Sequence, residues 1–206
     1  MQLLANTTSP YVRIARASLI EKGLDIAPTI VDPWADDARL RAANAATRVP
    51  TLVLDDGTPL AESMAIVMWL ESTRPAPAHA ALIGPDAARV LSRAGVALGV
   101  IDAAVHTIII RKVTAPVLFD ETPVGLRRRR TMAEGMQRLE ALAAAHPMDG
   151  SATPKLDAIC AITAIDYLNF RFTDAPWLPA MPALNALSQR LRSRPSFAQT
   201  MPFVPS

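Results

Sequence analysis

One cysteine, Cys160, stands in 206 residues, which excludes an intrachain disulfide framework and any Cys-x-x-Cys redox pair. Histidine is nearly as scarce, and His79, His106 and His146 lack the spacing and carboxylate neighbours of a metal site. A large excess of one charge is missing too. Charged residues make up 19% and the net charge is +2, so the pI near 9.0 reflects a small surplus on a balanced chain. It points neither to nucleic acid nor to an anionic membrane. Met1 to Asn6 has no basic start followed by a long apolar run, so no leader is expected. The longest apolar stretch, Ala94 to Ile110, is broken by Asp102 and His106 and reads as a buried helix rather than a membrane span. The expectation is a cytoplasmic protein whose composition, half of it hydrophobic, supports a sizeable core.

The first third mixes strand and helix signals. Gln2 to Asn6 reads as a strand, and Thr7-Thr8-Ser9 breaks it before Pro10 opens a helix running to Lys22. A hydroxyl residue followed by proline suits a helix start, and Gly23 suits its end. Ile26 to Val31 reads as a strand whose Pro28 fits an edge. A weak helix over Asp36 to Asn44 precedes a strand, Val49 to Leu54. Asp55-Asp56-Gly57 is a hairpin turn signal, with Thr58-Pro59-Leu60 returning. A helix over Glu62 to Glu71 offers Met64, Val67, Met68 and Leu70 to its buried side. The order β-α-β-α-β-β-α is that of a thioredoxin-like layer. Residues 74–86, rich in proline, read as a linker. Helical patterns follow at about 87–113, 124–146, 154–172 and 183–193, so the predicted fold is an α/β thioredoxin-like domain (1–75), a linker (76–86) and an all-α helical-bundle domain (87–206).

Three loci of the first domain carry chemistry. The hydroxyl of Ser9 lies where a helix begins, beside unpaired N–H groups and the positive end of the helix dipole, a place suited to an anion. It reads either as a plain N-cap or as a donor to a thiolate, and Thr7 or Thr8 could take the latter role. Val49-Pro50, a proline entering a strand, is a candidate cis peptide that exposes backbone groups to a ligand. Glu62-Ser63 opens a helix with an acid and a hydroxyl; Ser63 is a cap or, with its N–H, a carboxylate ligand, while Glu62 suits an ammonium group.

With the segments SPYVRIARASLIEKGL, RVPTLVLDDGTPLAES and IVMWL, the sequence resembles the cytosolic glutathione transferase superfamily, in its bacterial serine-type branch. AIDYLNFR, at residues 164–171, is similar to a later helix of small bacterial members. The resemblance implies glutathione as co-substrate, no metal, a two-fold homodimer, and detoxification chemistry in which a glutathione thiolate attacks a small hydrophobic electrophile. It further implies that Ser9 stabilises the thiolate and that Val49, with Pro50 cis, pairs with the cysteinyl backbone. Glu62 and Ser63 would hold the γ-glutamyl group, and Arg48 the glycyl carboxylate. Asp102 would reach the γ-glutamyl amine of a neighbouring subunit, and Tyr11 and His106 would face the electrophile. The family's Asn-Pro-x-Gly-Lys-Val-Pro is here Asn44-Ala45-Ala46-Thr47-Arg48-Val49-Pro50, without the turn proline and glycine. The usual Ser/Thr-x-x-Asp capping box is represented by Asp157 alone, with Pro154 three residues before it.

Two rivals accompany the transferase expectation. One is glutathione-dependent reduction: the glutaredoxin-like form requires a cysteine at Ser9, whereas peroxide reduction using glutathione alone does not. The other is a non-catalytic glutathione-binding or interaction protein that keeps the fold. Arg127 to Arg130 spread around a helix instead of forming one stripe, and Cys160 reads as an apolar filler.

Overall fold

The computed structural model describes residues 1–114, 118–146, 148 and 153–204. The chain forms two units, Met1–Leu82 with Ser193–Ser206, and Ile83–Arg192.

In the first unit the elements follow the expected order: β1 (Gln2–Ala5), α1 (Pro10–Glu21), β2 (Pro28–Ile30), α2 (Ala38–Ala43), β3 (Thr51–Val53), β4 (Pro59–Ala61) and α3 (Ser63–Thr73). The sheet runs β2-β1-β3-β4. Strand β1 is parallel to β2 and antiparallel to β3, and β3 is antiparallel to β4. Strand β2, which carries Pro28, lies at the edge, where a missing N–H disturbs least. Both faces of β1 are covered, as the sheet of a thioredoxin-like layer requires. Leu3 and Ala5 face a core with Val12, Ala15 and Leu19 of α1, Leu52 of β3 and Ile66 and Leu70 of α3. Leu4, on the opposite face, meets Val31 and Leu40.

Helix α1 ends where glycine allows it. Gly23 has φ 75°, its N–H donates to Ile20 and that of Leu24 to Leu19, a left-handed cap that occupies the last carbonyls. The buried Lys22 ammonium donates to the Arg74 carbonyl at 2.8 Å and sits 2.5 Å from Glu71, so the ends of α1 and α3 are tied together. Along α3, Ile66, Val67 and Leu70 are buried. Met68, expected on that side, is exposed, because the helical period turns it away from the face that Ile66 and Leu70 define.

In the second unit all regular elements among the described residues are helical: α4 (Ala87–Thr114), a 3-10 turn (Phe119–Glu121), α5 (Pro123–Ala145), α6 (Leu156–Arg171) and α7 (Pro182–Leu191). Helix α4 has the length and composition of a membrane span, yet it packs against α5 and α6 with Val90, Ala94, Ala97, Val100, Ile101 and Ala104 buried. Gly135 permits the close approach of α5 to α4, since a Cβ there would meet Val100 Cγ2 at 2.4 Å. Helix α6 is buried from Leu156 to Leu168. Its Asp157 carboxylate accepts from the Ala158 N–H at 3.0 Å and reaches Arg93 of α4 at 3.2 Å, both side chains being buried. At the start of α7, the Glu140 carboxylate accepts from the N–H groups of Ala183 and Leu184 at 2.7 and 3.0 Å.

Residues 193–206 were expected to close the helical domain, but they group with the first unit. Helix α8 (Pro195–Ala198) lies here, and residues 194–203 run back along α1. Arg194 makes a two-pronged pair with Glu21 at 2.6 and 2.8 Å, and Ser196 donates to the same carboxylate. Farther along, Arg16 donates to the Gln199 carbonyl, Arg13 approaches the Met201 sulfur, and the Phe203 N–H donates to the Thr7 carbonyl at 3.3 Å. These polar side chains of α1 have no signature that a single sequence reveals, which is why the return of the tail was not expected.

Candidate functional site

Sheet register brings the three loci to one end of the first unit. Leu4 stands opposite Thr51, and Thr51 opposite Ala61. The end of β1, the start of β3 and the end of β4 are therefore level. Ser9 follows the first, Val49-Pro50 precedes the second, and Glu62-Ser63 follows the third. Helices α1 and α3 both begin at this end, so two sets of unpaired N–H groups and two positive dipole ends gather there.

Ser9 is the N-cap of α1. Its N–H donates to Asn6 Oδ1 at 2.9 Å, and its Oγ accepts from the Val12 N–H at 3.3 Å. A hydroxyl that accepts from the helix keeps its own hydrogen for another partner, so the cap and donor roles are compatible. Thr7 and Thr8 are, like Ser9, half-buried in the same loop.

The Val49–Pro50 peptide is cis. Neither the N–H nor the C=O of Val49 enters a backbone hydrogen bond among the described residues. The turn before it is held by Asn44, whose Oδ1 accepts from the Ala46 N–H at 3.0 Å and whose Nδ2 donates to the Arg48 carbonyl and to Thr51 Oγ1, each at 3.1 Å. Thr47, where the family motif has glycine, takes φ 50°, a left-handed conformation unfavourable to a β-branched residue.

Glu62 is the N-cap of α3 and has φ 73° with no side-chain cap bond. Ser63 is only 3% exposed. Its N–H and those of the next two residues lie in the first helical turn and reach no intrahelical carbonyl. Backbone strain of this kind concentrates at ligand clamps. Arg48 lies 3.8 Å from Glu62, with both side chains mostly exposed, so the pair adds little stability and either partner is available to a ligand.

The remaining expected residues are spread over the chain. Tyr11 is half-buried in α1, while His106 and Asp102 are exposed on α4. Among the described residues no group of His, Cys, Asp and Glu is placed to hold a metal. Cys160 is fully buried, and desolvation reinforced by the nearby Asp157 charge pushes its thiol well above the ordinary range, so it is a core filler. Sequence reasoning missed Asn44 and Thr51 as organisers of the turn; the only signal was Asn44 at the head of the motif.

Residues 8–73 match the family described as glutathione S-transferase, N-terminal domain. Over 205 residues the chain is 30% identical to the uncharacterized GST-like protein YibF of Escherichia coli (strain K12), covering 98% of each protein. A glutathione S-transferase from Methylobacterium radiotolerans, solved in complex with glutathione sulfonate, superposes with a TM-score of 0.88 at 30% identity, over 100% of this chain and 96% of that one. Another, from Methylobacillus flagellatus with GSH bound, gives 0.85 at 26% identity, over 98% and 99%.

Proposed function

Since the chain belongs to the glutathione S-transferase family, we propose that it binds glutathione along the shared end of its sheet and activates the thiol for attack on a small hydrophobic electrophile. The observation that carries this reading is the level row of strand ends at β1, β3 and β4. Neighbouring strands lie about 4.8 Å apart, so the row spans about 10 Å. An extended tripeptide covers about the same length, at roughly 3.3 Å per residue.

In this reading the γ-glutamyl carboxylate takes the Ser63 hydroxyl and the unpaired N–H groups of α3, an anion at a helix start. Glu62 takes the ammonium, giving up a weak surface pair with Arg48; Arg48 is then available to the glycyl carboxylate. Val49 pairs with the cysteinyl backbone, and the sulfur falls beside Ser9. A free thiol titrates near 8.5, so only a few per cent is thiolate at neutral pH. A hydrogen bond from the Ser9 hydroxyl to sulfur contributes roughly 1.5–3 kcal/mol, about one to two pKa units, and the α1 terminus adds to it. With the thiol proton released to solvent, the thiolate forms the new bond to an electrophilic carbon beside Tyr11 as the bond to a leaving group such as a halide breaks.

Melting curves with and without millimolar glutathione test the binding half. A rise of several degrees is expected, and no shift would sink the reading. Turnover is tested with an aryl halide; saturable binding without conjugation assigns the chain a non-catalytic binding role. A two-fold homodimer in the cytoplasm belongs to the same reading, and light scattering should give twice the 22.1 kDa of one chain.

A further inference from the structure

The peptide joining Arg48 to Val49 is gripped from its carbonyl side. Its oxygen accepts from Asn44 Nδ2 at 3.1 Å and from Thr51 Oγ1 at 2.9 Å. Asn44 Nδ2 also donates to Thr51 Oγ1 at 3.1 Å, closing a triangle. Thr51 is 0% and Asn44 9% exposed, so water does not compete freely for these bonds. The cis bonds are Val49–Pro50 and Ala76–Pro77; the Arg48–Val49 peptide is trans, and its N–H points opposite to its C=O. That N–H is Val49's, and it has no backbone acceptor among the described residues.

From this geometry we infer that Asn44 and Thr51 are positioning residues for glutathione, acting through the Arg48–Val49 peptide to aim the Val49 N–H at the cysteinyl carbonyl. The inference rests on the glutathione reading above and adds two residues that touch no ligand. Two donors on one oxygen fix the plane of the peptide, since turning it breaks both bonds at once. They also polarise the amide, because each hydrogen bond accepted at oxygen strengthens the N–H as a donor, by roughly 10–30%. Asn44, through its side chain and its carbonyl, also holds the turn that lacks the motif's proline and glycine. Asn44 Oδ1 takes the Ala46 N–H, and the Asn44 carbonyl takes the Thr47 N–H at 2.8 Å, so the turn keeps its course with alanines and a threonine in it.

Thr51→Val removes the hydroxyl at nearly constant volume, and Thr51→Ser keeps it. Glutathione affinity by calorimetry, steady-state KM and kcat, and the Val49 amide resonance are read on both variants and on the unaltered protein. Thr51→Val should weaken glutathione binding and raise its KM about tenfold, the loss of one well-aimed hydrogen bond, with kcat at saturation within about twofold. Its Val49 amide should move less on saturation with glutathione, and Thr51→Ser should restore both affinity and shift. Affinity and Val49 shift unchanged in Thr51→Val overturn the positioning role alone. Should Thr51→Val fail to fold, the unaltered protein still decides: a Val49 amide that neither moves downfield nor exchanges more slowly with glutathione bound overturns the inference. No glutathione binding by the unaltered protein overturns the reading on which it stands.

Discussion

Ser9 joins two roles in one oxygen, and a single substitution separates them. Ser9→Ala loses the acceptor for the Val12 N–H, which costs about 1 kcal/mol as a lost N-cap. It also loses the donor to sulfur, so the glutathione thiol should titrate about one to two units higher. At neutral pH, conjugation should slow about ten- to a hundredfold while glutathione still binds. A pH–rate profile checks this, and an unchanged profile moves the donor role to Thr7, Thr8 or the backbone. Thr47 supplies a second test at this scale. At φ 50° its Cβ is strained by about 1–2 kcal/mol, partly offset in a glycine variant by the greater freedom of the unfolded chain. Thr47→Gly should therefore stabilise by about 0.5–1 kcal/mol, raising Tm by a few degrees; a lower Tm refutes the strain argument.

At the scale of elements, the hairpin, helix starts and buried helices could be read from the chain because their causes are local. Ser9-Pro10 and Asp55-Asp56-Gly57 state their cap and turn directly, and the apolar run of α6 states its burial. The Arg93–Asp157 pair could not be read, because its partners lie 64 positions apart and each looks like a surface charge. Burial outweighs Arg93 and raises the Asp157 carboxyl above its ordinary value, while the Arg93 hydrogen bond and charge pull it back. A raised carboxyl means that the folded chain holds this proton to higher pH than the unfolded chain. The contribution of Asp157 thus favours folding at low pH and is lost as pH rises through the carboxylate range. Arg93→Leu removes the groups that restrain the rise, leaving a buried carboxyl without its partner, at a cost of about 3–5 kcal/mol near neutrality. The deficit should shrink below the carboxylate range, where Asp157 is neutral in both states. Melting curves at about pH 2.5 and 7 decide, and an equal deficit at both excludes an ionised Asp157.

For the whole molecule, the level strand ends and the two helix starts were legible as an order of elements, whereas the return of residues 193–206 was not. Arg194→Ala tests that return. It leaves the buried Glu21 carboxylate with only Ser196 as a side-chain partner among the bonds described, and the loss should be about 1–3 kcal/mol. Hydrogen exchange should rise first in α8 and the tail; a uniform change across the first unit would contradict a locally held segment.

The clamp of Glu21 on Arg194 and the bond from Phe203 to Thr7 also bear on how the chain is made. Between Leu82 and Ser193 lie about 110 residues of the other unit, roughly 6–22 s of synthesis at 5–20 residues per second. Through that interval the sheet and α1 can form on the ribosome, but α1 keeps Glu21, Arg13 and Arg16 without their mates from the tail. The nascent first unit is thus an open client until its closing strip arrives, although all four strands of its sheet are encoded at the beginning of the message.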